Sequence, residues 1–133
     1  LIQSNEEVLE LIKNDTLWSI SGHDTLNIKE QSLNNFFDKI LNLKLETTMT
    51  EKEEKWGAFN IGDSTGTHLA LIDYNGNTLS YFVFGRSNSD YARCYVRTSN
   101  SSNVYLASEN VMYIMTTNPN YWGEKPKEDV PSE

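Results

Sequence analysis

The chain has 133 residues, a net charge of −8 and one cysteine. That length is one domain with enough material for a core, and a lone cysteine rules out an intrachain disulfide staple. The acidic balance excludes a general duplex DNA or RNA binder and argues against an anionic membrane surface, because both need a basic footprint.

The front of the chain reads as short strands. "LIQS" (1–4) is strand-like and "NEE" (5–7) reads as a turn. "VLELIK" (8–13) alternates, "NDT" (14–16) turns, and "LWSIS" (17–21) puts Trp18 and Ile20 on one face. Residues 1–21 are therefore expected to form a small antiparallel meander. The period then changes. Over 28–45, Leu33, Phe36, Phe37, Ile40, Leu41 and Leu45 follow three-four spacing, which predicts an amphipathic helix capped by Ser32 or an earlier polar residue. Segment 46–63 has no clean period and reads as a long connection that packs Trp56, Gly57 and Phe59 against the core. Strands are predicted at 66–73, 78–84, 92–98 and 103–107, with Asn75-Gly76 as a hairpin signal between the first two. A short helix is expected over 108–118, opened by Ser108 and closed before Pro119.

This order predicts an α+β fold: a mainly antiparallel sheet of hairpins (strands, helix, strands, short helix) with helices packed on one face. One domain is expected over 1–123, followed by a flexible C-terminal tail over 124–133. The first residues already look like part of a strand, so a fragment of a longer protein is expected, with a lost N-terminal signal or anchor left open.

No residue pattern identifies a reaction. "FGRS" (84–87) has one glycine and no lysine, so it reads as a turn or bulge, with Gly85 supplying an unusual backbone angle, and not as a phosphate loop. His23, His68 and Cys94 are too few and too scattered for zinc, and no calcium loop or Gly-x-Ser-x-Gly elbow occurs. No catalytic residue, metal or cofactor is expected. Cys94 reads as a small buried hydrophobe. Tyr81, Tyr91, Tyr95, Tyr105 and Tyr113 recur through the second half, and both core packing and a ligand platform fit them. Arg86, Arg93 and Arg97 are the local basic cluster. Arg93, Tyr95 and Arg97 share one strand face by alternation, so that face, with Arg86 nearby, is the candidate binding surface.

The landmarks "LELIKNDTLWSI" (9–20), "LNNFFDKILNLKL" (33–45), "KWGAFNIG" (55–62), "LSYFVFGRS" (79–87), "CYVR" (94–97) and "NVYLAS" (103–108) stand in an order that resembles the bacterial domain of unknown function family DUF 4340. The resemblance covers roughly 1–123; "WGAF" departs from the family's usual aromatic-Gly-Leu. It implies an extracytoplasmic protein, periplasmic or at the cell surface, tethered as a lipoprotein or through a membrane segment absent from this chain. Some relatives are associated with components resembling gliding-motility ABC transporters. The family has no established catalytic residues to carry over. The expected function is a noncatalytic cell-envelope interaction domain with a protein partner and no nucleic acid. The rival reading is a small-ligand or glycan-binding module using the tyrosine-rich sheet face. The oligomeric state stays open.

Overall fold

The structure is a computed structural model and describes residues 1–4, 6–14, 17–23, 25–62, 65–73, 75–87, 89–99 and 101–126. In chain order, strands β1 (Ile2–Ser4), β2 (Glu7–Leu9), β3 (Leu11–Asn14), β4 (Leu17–Ile20) and β5 (Asn27–Ile28) precede helix α1 (Glu30–Leu41). Strand β6 (Leu45–Thr50) and a 3-10 helix (Glu53–Phe59) follow. Then come β7 (Thr67–Ile72), β8 (Thr78–Arg86), β9 (Cys94–Thr98) and β10 (Val104–Ala107). A 3-10 turn (Met112–Ile114), the short helix α2 (Pro119–Trp122) and β11 (Gly123–Glu124) close the chain. The fold is α+β with antiparallel sheet predominating.

Seven strands form one sheet in the order β2-β1-β7-β8-β9-β10-β6. Alternation along β8 divides its side chains between two cores. Phe84 joins Ile2, Leu9, Leu69 and Val96 in a cluster with Phe36 of α1, Ile20 of β4 and Trp122 of α2, and Phe82 packs against that cluster. Val83 belongs to a second cluster with Ile61, Tyr95 and Val104, against which Trp56 and Phe59 pack. The run "YFVF" looks continuously apolar because its sheet is buried on both sides at this point.

Several expectations change. Residues 1–21 are not one meander: β1 and β2 join the large sheet, whereas β3 and β4 form a separate hairpin. Glu7, expected in a turn, pairs with Ser4 in β2. The main helix is shorter than 28–45, and Leu45 begins a strand. Its N-cap is Lys29, without a side-chain cap; Ser32 Oγ instead donates to the carbonyl of Tyr121 at 2.9 Å. The first part of the expected connection is the edge strand β6. It lacks alternation because Leu45 through Met49 are exposed whichever way they point. The expected helix over 108–118 is only the 3-10 turn, and the next helix starts at Pro119, with the Asn118 side chain accepting from Asn120 N. Proline suits that first position because its missing N–H is not needed there.

At the C-terminal end, Glu124 pairs with Asn27, so ordered pairing reaches one residue into the expected tail. Residues 127–133 of that tail lie outside the described residues.

Candidate functional site

The candidate face is occupied by the protein itself. A row of paired positions crosses the sheet from Gln3 through His68, Val83 and Arg97 to Val104. Over its middle lies the segment from the 3-10 helix to Ile61. Arg97 Nε donates to the carbonyl of Ile61 at 2.9 Å, and its guanidinium carbon lies 3.8 Å from the centroid of the Trp56 ring. Trp56 Nε1 in turn donates to the carbonyl of Ser102 at 2.9 Å. Phe59 meets Tyr95 edge to face, with ring centroids 4.9 Å apart.

Tyr95 and Arg97 are therefore 8% and 6% exposed, and neither is presented to a partner. They share a face, as alternation requires, but that face is an interior. Arg93 precedes β9, is half-exposed, and lies 3.7 Å from Glu46 and 3.6 Å from Asp90. Such exposed ion pairs contribute little to stability. Arg86 is exposed and pairs in register with Cys94, so it points to the opposite side of the sheet from Tyr95 and Arg97. The four residues do not converge on one surface.

The tyrosines also scatter. Tyr81 contacts Nδ1 of His68 through its hydroxyl, with the ring centroids 5.7 Å apart. Tyr105 is half-buried and its hydroxyl accepts from Asn103. Tyr91 and Tyr113 are exposed. Among the described residues, no group of three or more His, Cys, Asp or Glu side chains could hold a metal ion.

Gly85 is neither a turn nor a special backbone angle. It lies inside β8 and pairs with Tyr95. Its lack of a side chain lets the covering segment approach: a Cβ there would stand 2.4 Å from the Phe59 carbonyl oxygen and 2.6 Å from that of Asn60. These are backbone atoms that cannot step aside cheaply. Gly85→Ala is expected to destabilise the domain by about 2 kcal/mol, within the usual cost of overpacking. Urea unfolding checks this, and a loss below about 0.5 kcal/mol would contradict it.

Cys94 is fully buried on the other side, and its thiol donates to the Glu109 carbonyl at 3.5 Å. Burial raises its pKa above the ordinary 9.0. The folded state thus favours the neutral thiol. The stability this contributes is complete below the ordinary value and is lost as pH rises through the raised one. Native protein is expected to resist alkylation at neutral pH and to react only when unfolded; rapid labelling of native protein would refute the burial argument.

Sequence reasoning missed two features. The pairing of Trp56 with Arg97 joins elements far apart in the chain, so no local pattern announces it. Gln31, Asn34 and Asn35 lie on an open, shallow surface beside Tyr121, yet in the sequence they are only the polar positions of an amphipathic helix.

An antiparallel α+β sheet with a covered, two-sided centre defines the class. Residues 18–131 match the family model described as a domain of unknown function (DUF4340), and the chain belongs to that family. No curated protein matches the chain, and no solved structure does.

Proposed function

We propose that this is a noncatalytic, extracytoplasmic interaction domain of the bacterial cell envelope that holds a protein partner in an assembly linked to a gliding-motility-like ABC transporter. The observation that carries the interaction reading is the uncovered end of the sheet's second face. Val8 of β2 is 54% exposed there, and Ile72, the last residue of β7, is 47% exposed. Leu9, the strand neighbour of Val8, belongs to the first core, so alternation turns Val8 to the side that the 3-10 helix covers elsewhere, while Ile72 lies past the irregularity in the β7–β8 pairing. Val8 stands opposite uncharged Gln3. Exposed apolar positions on an uncovered sheet face suit a protein partner with an apolar surface. The envelope setting, membrane tether and transporter link rest on the family resemblance alone.

The test is crosslinking in the native cells, with mass spectrometry of the captured proteins. Transporter or envelope-complex subunits are expected from the native domain and not from a Val8→Glu, Ile72→Glu double variant. Both positions are exposed, so the fold should tolerate the change. Capture that persists in the variant, or no envelope subunit at all, would refute the proposal.

A further inference from the structure

The turn between β7 and β8 carries the one asparagine of the chain that precedes a glycine, Asn75-Gly76. Both residues are exposed, and a Cβ built on Gly76 would meet no atom within 4 Å. Asparagine is chemically labile because the backbone nitrogen that follows it can attack its side-chain amide, and glycine leaves that nitrogen unhindered. Elsewhere the neighbours obstruct the attack. Asn60, Asn103 and Asn110 precede β-branched Ile61, Val104 and Val111, and Asn118 precedes Pro119, which has no N–H.

The fold holds this turn closed. The Asp73 carboxylate accepts from Asn75 N and from Asn77 N, both at 2.9 Å. Asp73 N donates to the Asn77 carbonyl at 2.9 Å, and Gly76 N donates to the Asp73 carbonyl at 3.0 Å. While that last bond stands, the Gly76 nitrogen is engaged away from the Asn75 side chain. The carboxylate bonds are exposed to solvent, and the ladder just behind them is irregular between Leu71 and Ile72. Such a turn opens locally at small cost.

We propose that Asn75 is a self-modifying site, at which opening of the turn converts the asparagine to aspartate and isoaspartate. The Gly76 nitrogen bonds to Asn75 Cγ and gives its proton to water. The Cγ–Nδ2 bond breaks, and the amide leaves as ammonia. Water then opens the cyclic imide at either carbonyl, which gives aspartate or isoaspartate at position 75. Nothing is oxidised or reduced, and water is the only co-reactant. Either product puts a carboxylate beside that of Asp73, where like charges repel. Isoaspartate also lengthens the main chain by a carbon atom, which does not fit the hydrogen bonds of the native turn. The ends of β7 and β8 therefore loosen. This goes beyond the protein-partner reading and does not rest on it.

The full chain is incubated in mildly alkaline buffer, folded and in urea, and peptide mass spectrometry follows conversion at every asparagine. Position 75 is expected to convert first in both samples. It should convert about threefold or more faster in urea, since the folded turn must first break one net hydrogen bond. Asp73→Ala removes the carboxylate that closes the turn. The folded variant should therefore convert faster than the folded native chain while matching it in urea, with circular dichroism as the check on its fold. In converted native protein, hydrogen exchange should rise at Ile72 and Thr78 while Val83 and Val96 stay protected. Another asparagine converting first, native conversion as fast as in urea, an unchanged rate in folded Asp73→Ala, or unchanged exchange after conversion would overturn the proposal.

Discussion

Trp122→Ala is expected to destabilise the domain by about 4 kcal/mol, within the upper range for a single large-to-small change in a core. Trp122 is 0% exposed. Its ring meets Phe36 edge to face at 5.4 Å and 77°, and its indole N–H donates to the Thr116 carbonyl at 2.8 Å. Alanine would open a cavity where α1, α2 and the sheet meet, and would leave the Thr116 carbonyl to find water. With total stability typically about 5–15 kcal/mol, such a loss brings a small domain close to unfolding. Trp122→Phe keeps a ring against Phe36 but loses the indole donor, and should cost about half as much. Urea unfolding of both variants checks the order. A loss below about 1 kcal/mol for the alanine variant would show that this junction is not the centre of the core.

Arg97→Ala ranks second, at about 3 kcal/mol. One side chain provides a charge-assisted hydrogen bond to Ile61 and a cation over the Trp56 ring. The first is worth about 1.5–3 kcal/mol and the second about 2 when desolvated, although the two are not additive. Arg97→Lys preserves the charge but not the planar stack, so it should recover only part of the loss. A double-mutant cycle with Trp56→Phe isolates the stacking contribution. A coupling near zero would mean that the ring contributes only as apolar cover. If the covering segment instead loosens without global unfolding, hydrogen exchange should rise over 53–61 while α1 stays protected.

Much of the architecture was legible because single elements bury one side. The three-four spacing of Leu33, Phe36, Phe37 and Ile40 is enough to require a helix. The Asn75-Gly76 turn follows from local chemistry: Gly76 has φ +87°, and the Asp73 carboxylate accepts from the backbone of Asn75 and Asn77. Family membership was legible as well, in the order of landmarks along the chain. β6 was not, because an edge strand exposed on both sides leaves no period to read. The helix expected at 108–118 failed for the converse reason: Val111, Ile114 and Met115 are buried at helical spacing, yet only three residues form a 3-10 turn.

The sequence by itself determined the elements whose signal is short-range: the amphipathic helix, the run of strands β7 to β10, the acidic surface, and the shared face of Tyr95 and Arg97. Only the tertiary structure decided what that face does. Alternation places two side chains on one side of a strand, but it cannot say what lies above them. Trp56, Phe59 and Ile61 cover them from a segment that approaches Arg97 across 36 residues of chain. Gly85 makes room for that approach, and no neighbour in the sequence reveals why it must be glycine. Burial is a property of packed surfaces rather than of local pattern, so an apparent binding face became a second core.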